Sequence, residues 1–285
     1  VNNLIQWAIW AAVFSPAEYL FSFYPIVMTG HERRQNVFLL LFNSYVTAFA
    51  IAAASYLLYF GLAHLVPVAI CAAIGGQSLL LQIVEAALLM DLGIYISHRL
   101  SHSRILWRFH EIHHSAEEMN WSVAFRFHPL DLLFYTVFSS VPAVLIGFSV
   151  EALLITKTIH SWQAVASHAN LRFGIGPLRH FFVGPQFHHW HHANEQEAYD
   201  RNFGGLFVVW DWSFGTLHRP ASERPSFFGT TGSRGRSLID LLAGPFTGLS
   251  AWRTIKTAPV LQPSSSGNTP AQVGGVGNEV VKADA

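Results

Sequence analysis

The residue type that offers this chain its chemistry is histidine. His98 and His102 stand four apart, His110, His113 and His114 follow, and His188, His191 and His192 repeat that second spacing. On a helix, residues three and four apart share a face. The first pair therefore predicts a two-imidazole prong, and each triplet a three-imidazole prong. Eight imidazoles exceed the four ligands of a structural zinc site and the three of a catalytic one, and they suit two metals held side by side. Neutral imidazole binds iron, copper, zinc and nickel, so ligand type alone does not select the metal. A polyhistidine site without thiolates, with open positions where oxygen and a lipid can meet, points to iron and to O₂ chemistry on an unactivated C–H bond.

The elements that position these prongs belong to a membrane. The 285 residues are 51% hydrophobic and 12% charged, about half the charge of an ordinary soluble domain. Net charge is zero, which favours neither a nucleic acid nor a polyanion as partner. The single Cys71 excludes an intrachain disulfide framework and a cysteine-held cluster. The first apolar run, Leu4 to Met28, lacks the basic start and small-residue site of a cleaved leader. It is long enough to cross a bilayer with a kink at Pro16. His31 to Arg34 reads as a polar loop. Val37 to Val66 contains no Asp, Glu, Lys or Arg and is the cleanest span. Pro67 to Gln77 reads as a turn with a half-buried piece, and Ser78 to Ser97 as a third span with Glu85 and Asp91 turned toward protein. Leu130 to Gly147 and Ser149 to Ala169 read as a fourth and fifth helix, a hairpin pivoting near Gly147 and short enough to be partly re-entrant.

The fold expected is therefore all-α, an integral membrane protein with four to five transmembrane or re-entrant helices and a cytoplasmic, histidine-rich helical cap. Orientation follows from Arg33, Arg34, Arg99, Arg104, Arg108, Arg126, Arg172, Arg179 and Arg201, which this threading puts on one side. Segments 62–78 and 146–151, on the other side, have no Lys or Arg. By the positive-inside rule the histidines face the cytoplasm, most simply at a bacterial inner membrane. Residues 1–220 read as one catalytic domain. Residues 221–285 read as a C-terminal surface segment, with a short helix over Leu238 to Leu249 and a Ser/Gly/Pro-rich tail of disordered composition.

The motifs resemble those of the fatty acid hydroxylase/sterol desaturase superfamily. His98-Arg-Leu-Ser-His102, His110-Glu-Ile-His113-His114 and His188-His-Trp-His191-His192 match its HxxxH, HxxHH and HxxHH boxes. The likeness extends through Asp91-x-x-x-Tyr95, Leu106 to His110, His114 to Asn120, Arg126-x-His128-Pro129, His168-Ala169-Asn170, Gly184 to Phe187, Asn202 to Gly204, Trp210-Asp211 and Phe214 to Thr216, roughly residues 80 to 220. Its texture is nearest to bacterial sterol desaturase family members and, further off, to alkylglycerol monooxygenase. The resemblance implies a membrane oxidoreductase with two iron ions and O₂ as co-substrate, hydroxylating or desaturating a lipid that enters from the bilayer. Its implied ligands are His98, His102, His110, His113, His114, His168, His188, His191 and His192, with Asp91 and Asn170 as further catalytic candidates. No flavin, haem or iron–sulfur motif is present, so electrons would come from an external reductase chain, a ferredoxin- or cytochrome-type donor with an NAD(P)H reductase.

Some residues carry two readings. Asp91 lies on the helical face of His98 and His102, where it would either hydrogen-bond a ligating imidazole or make a polar contact inside the bundle. His160, eight residues before His168, is either a tenth ligand or a supporting residue. His189 interrupts the ligand face, His128 reads as structural ahead of Pro129, and Glu111 and Glu117 as solvated or supporting. Asp200, Asn202 and Asp211 either order the loop after the third box or belong to the site. The competing function is a membrane metal transporter or metal-binding protein using the same clusters; it would string ligands along a path near the bilayer midplane, not in one layer at its edge.

Overall fold

A computed structural model describes residues 3–26, 30–220, 224–230 and 236–247. Among them the protein is helical, with isolated bridges and no strand. The helices are α1 (Asn3–Phe21), α2 (Gly30–Phe42), α3 (Ala48–Leu62), α4 (Val68–Gly75), α5 (Leu79–Ser101), α6 (Trp107–His114), α7 (Pro129–Leu145), α8 (Val150–His168), α9 (Pro185–His191), α10 (Val209–Ser213) and α11 (Leu238–Thr247). A π-helical turn, Asn43–Thr47, joins α2 to α3.

Two helical stretches are long and apolar enough to cross a membrane, the continuous Gly30–Leu65 and α5. Of the four or five expected spans, the others fall short for visible reasons. α1 contains Pro16 and Glu18, α7 has 17 residues, and α8 carries Glu151, Lys157 and His160. The side chains of α3 lie outward, with Phe49 80%, Leu57 71% and Phe60 60% exposed and no residue of the helix buried. An apolar helix without a buried face has a lipid-facing composition. The segment His31 to Arg34 is not a loop but the first turns of α2. Glu32 suits the positive end of the helix, and Gln35 and Asn36 turn inward to accept from the buried Arg126 guanidinium at 2.9 Å each.

The bundle is built on α5, which packs chiefly on α7 and α8. Ser78 caps α5 by accepting from Leu81 N, Ser149 caps α8 by accepting from Ala152 N, and His128 Nδ1 accepts from Leu130 N ahead of Pro129. The α7–α8 hairpin turns at Gly147, whose φ of +95° and closeness to the Cys71 backbone (2.8 Å from an added Cβ) both require glycine. Trp10 and Phe14 of α1 close one flank on Ala124, Val165 and Ala169. The other flank is closed by α11, where Leu241 packs on Leu39 and Ile112. The expected helix near Leu238 is thus present, its described part ending at Thr247; the tail beyond lies outside the described residues.

At Gly93, α5 and α7 touch backbone to backbone: a Cβ there would sit 2.1 Å from Phe138 O. Since α5 also carries His98, this crossing sets where the first box stands. Gly93→Ala should cost about 1–3 kcal/mol or more through overpacking. Thermal unfolding in detergent should show a midpoint lowered by about 2–4 °C per kcal/mol, and an unchanged midpoint would refute the close crossing.

Candidate metal centre

Four elements deliver the histidines to one layer. The last turn of α5 brings His98 and His102, α6 brings His110, His113 and His114, the end of α8 brings His168, and α9 brings His188, His191 and His192. All nine are buried, each 8% exposed or less. Their ring nitrogens fall into two groups, each within 4.8 Å: His98, His102, His110, His114 and His191 in one, His113, His168, His188 and His192 in the other. The two triplets do not act as single prongs, as their spacing had suggested; each is divided between the groups. On a helix, positions i and i+4 differ by about 40° and i+3 and i+4 by about 100°. His110 and His114 thus stay together while His113 turns to the second group, and His188 and His192 stay together while His191 turns to the first.

The contacts within each group identify what fits there. His114 Nε2 lies 3.2 Å from His102 Nε2, 3.2 Å from His110 Nε2 and 3.0 Å from His191 Nε2. In the second group, His168 Nε2 lies 3.2, 3.0 and 3.2 Å from Nε2 of His113, His188 and His192. Several of the opposite ring nitrogens are committed as donors, while Nδ1 of His113 and His188 is buried with no partner. His98 Nδ1 donates to Phe203 O (2.9 Å), His110 Nδ1 to Asp131 Oδ2 (2.8 Å), His168 Nδ1 to Ala164 O (2.7 Å) and His191 Nδ1 to Arg201 O (2.8 Å), with His102 Nδ1 3.4 Å from Asp200 Oδ1. A neutral imidazole has one N–H and one lone pair. The Nε2 atoms of His102, His110 and His191 therefore present lone pairs to His114, which can supply at most one hydrogen. His98 Nε2 is buried with no partner. Hydrogen bonds cannot satisfy this arrangement, and a cation can. Two nitrogens each bound about 2.0–2.1 Å from a metal at right angles are about 3 Å apart, which is the spacing observed.

Burial holds the imidazoles neutral, as ligands must be. His102, His113, His114, His188, His191 and His192 are pushed well below the ordinary value of 6.5, first by burial and then by repulsion from neighbouring imidazoles. Phe127 stacks on the His113 ring at 4.5 Å between centroids. A cavity of about 580 Å³ runs between α3, α5, α7 and α8 up to His98, His110, His113, His168 and His188. On the other side of the layer a pocket of about 40 Å³ meets His102, His114 and His191, bounded by Trp107, Asp200 and Thr230.

The carboxylates depart from expectation. Asp91 hydrogen-bonds none of the nine imidazoles. It accepts from Leu206 N (2.7 Å), Phe207 N (2.8 Å) and Trp210 Nε1 (3.0 Å), and its nearest imidazole is His160, 3.6 Å away. Being fully buried, it takes the nearest unsatisfied N–H groups, those of the loop crossing over α5. Asp211 accepts in the same way from Phe203 N and Gly204 N. Together they fix the segment whose Phe203 carbonyl orients His98. Asn170 likewise makes no hydrogen bond to the histidines: its side chain accepts from Phe23 N and Tyr24 N and donates to Tyr24 O, stapling the chain after α1 to the end of α8. The carboxylate that does meet an imidazole directly in the interior is Asp131, which also accepts from Ser101 Oγ. The sequence shows it only as an acid in the first turn of an apolar helix, indistinguishable from a dipole-compensating residue.

Of the residues with two readings, His160 lies in neither group; its Nδ1 donates to Thr156 O at 3.0 Å. His189 accepts from Arg224 at Nδ1 (2.8 Å) and donates to His168 O through Nε2, so both ring nitrogens are occupied away from the groups. Asp200 and Asn202 adopt left-handed backbone, φ +57° and +59°. Asn202 donates to Phe187 O and His218 O, ordering the loop after the third box. Glu111 is buried and accepts from Thr230 and Arg236.

Residues 83–216, which contain all nine histidines, match the fatty acid hydroxylase family. An ornithine lipid hydroxylase of Rhizobium tropici is 32% identical over 168 residues, 58% of this chain and 50% of its own. Alkylglycerol monooxygenases of Danio rerio and Homo sapiens are 34% and 33% identical, each over 47% of this chain and 30% of theirs. The chain thus spans half or less of the length of these relatives. No solved structure matches it.

Two outcomes follow from the geometry. Asp131→Asn leaves the shape of the layer but weakens the hold on His110, and should reduce metal affinity about 10–100-fold; metal retained after a chelator challenge measures it. In the metal-free protein, the six depressed imidazoles stay neutral while those of the unfolded chain protonate near pH 6.5. The unfolded state then binds more protons, so stability present above about pH 6.5 is lost as pH falls below it. Denaturation of the chelated protein between pH 8 and 5.5 should show this decline, and a flat profile would contradict it.

Proposed function

Because residues 83–216 match the fatty acid hydroxylase family, we propose that the chain is an O₂-dependent di-iron oxygenase acting on a C–H bond of a membrane lipid. What carries this reading is the convergence of nine buried imidazoles into two groups at ligand–ligand spacing, opening on a cavity lined in part by the two membrane-length helical stretches. His98, His102, His110, His114 and His191 would hold one iron, and His113, His168, His188 and His192 the other. Iron held by imidazoles supplies the O₂ chemistry that opens an unactivated C–H bond.

The protein's own residues do the positioning. Asp131, Asp200 and the carbonyls of Phe203, Ala164 and Arg201 fix the ring orientations, so that the ligands need not reorganise during a reaction cycle. Apolar walls from Ile51, Met90, Ile94 and Leu132 admit a hydrocarbon chain and exclude water from its approach to His110 and His113. Asp91 and Asn170 act at a distance, the first by fixing the loop beneath His98 and the second by tying α1 to α8. Electrons would come from a separate ferredoxin- or cytochrome-type donor with its reductase, approaching from the side of the small pocket at Trp107 and Asp200. The arginine asymmetry of the sequence supports a histidine layer on the cytoplasmic side, at a bacterial inner membrane. A transport function would need ligands along a path through the bilayer; here the imidazoles close on one another in one layer.

The related hydroxylase and monooxygenases favour hydroxylation of a lipid over other outcomes. With a competent reductase supplied, host lipids made under ¹⁸O₂ should carry a labelled hydroxyl with wild type and none with His113→Ala, read by mass spectrometry. A product two hydrogens lighter and unlabelled would make the reaction a desaturation. Wild-type protein should hold two irons per chain, and an unchanged iron content and product in His113→Ala would sink the proposal.

A further inference from the structure

The cavity below the histidines is not apolar throughout. Its wall on α8 includes Leu153, Lys157, His160, Ala164 and His168, which follow one another at helical spacings of three and four. Lys157 therefore lies on the cavity face of α8, eleven residues before His168 and roughly 16 Å from it along the axis. It is the only Lys or Arg between Arg126 and Arg172. Among the described residues its ammonium has neither a carboxylate nor a hydrogen-bond partner. Lys157 is exposed as well as lining the cavity, so its ammonium stands at an opening of that cavity, where an apolar surround calls for an anionic partner.

Other polar groups gather at the same end. Ser55 of α3, twelve residues past the Asn43 that marks the histidine end of that wall, lines the cavity, and its hydroxyl is buried with no partner. Ser139 and Ser140 of α7, two turns beyond Asp131, also line it and touch only each other, at 3.4 Å. A hydrocarbon has no use for an ammonium and a buried hydroxyl without partners along the same cavity, whereas an oxyanion uses both.

We propose that Lys157, with Ser55 and the Ser139–Ser140 pair, receives an anionic oxygen group of the substrate, a carboxylate or phosphate, at the end of the cavity remote from the histidines. The site rests on the lipid-oxygenase reading above and makes Lys157 a residue that sets substrate specificity. It also sets position: an extended chain advances about 1.2 Å per bond, so on the order of ten bonds separate the anchored group from the carbon at the histidines, the length of the lysine side chain deducted.

The test is binding, measured on the purified full chain in detergent by displacement of a spin-labelled fatty acid. The probes are palmitate, hexadecyl phosphate and methyl palmitate. Wild type should bind one or both anions about tenfold or more tightly than the ester, as a charge-assisted hydrogen bond implies. Lys157→Met should erase that preference and leave ester binding unchanged, and Lys157→Arg should keep it. Whichever anion binds more tightly identifies the group as carboxylate or phosphate. Equal binding of anions and ester to wild type, or a preference that survives in Lys157→Met, would overturn the proposal; a lysine snorkelling to the far interface gives that result. Metal content is measured on the same samples. Wild-type protein without metal would refute the oxygenase reading while the binding preference stood, so the two failures are separable.

Discussion

Everything in this fold answers to one constraint: buried imidazoles with their lone pairs pointed at one another. His102, His110 and His191 each commit Nδ1 to an oxygen and turn Nε2 toward His114 at 3.0–3.2 Å. Such an arrangement is unfavourable for the bare chain, since buried polar atoms without partners are costly and protonation, which would supply hydrogens, is opposed by the same burial. The layer makes physical sense around cations. Cations bound there would add to the packing that holds α6 and α9, two helices of eight and seven residues that are too short to be stable by themselves.

The remaining elements hold that layer from outside. Arg126 donates to Ile112 O and Ser115 Oγ at the end of α6 and reaches Gln35 and Asn36 of α2, so a single guanidinium binds the second box to the membrane bundle. Asp91 and Asp211 hold a loop whose Phe203 carbonyl aims His98. Arg224, beyond the expected boundary at residue 220, fixes His189 and with it the backbone of His168. The layer is held by side chains that grip backbone, which tolerates no slack, and few of the gripping residues touch a ligand nitrogen themselves.

That division explains what could be read from the sequence. The nine histidines were legible because ligation demands a residue type at a helical spacing, and spacing is a one-dimensional quantity. The splitting of each triplet was not, because the 100° step between His113 and His114 acquires meaning only once two partners stand on different sides. Asp91 was placed on the correct helix face, yet its partners are backbone N–H groups more than a hundred residues away, which no local pattern announces. Asp131 was missed for the converse reason: its position at the start of α7 already had a sufficient local explanation. The polar start of α2 read as a loop since the buried arginine it serves is ninety residues distant.

The two openings of the layer differ in kind, and this difference gives the site a direction. The larger cavity lies among helices whose outer faces suit lipid and meets rings from both groups; the smaller pocket meets rings from both but is walled by Trp107, Asp200, Tyr199 and Thr230. On the oxygenase reading proposed above, a hydrocarbon and an electron donor would not compete for one entrance. The cost of such an arrangement is that the two walls come from distant parts of the chain. α8 and α9 meet around His168, whose Nε2 lies 3.0 Å from His188 and 3.2 Å from His192. The histidine layer is thus the partition between the two compartments, so loosening one of its imidazoles would join them and let water into the apolar one.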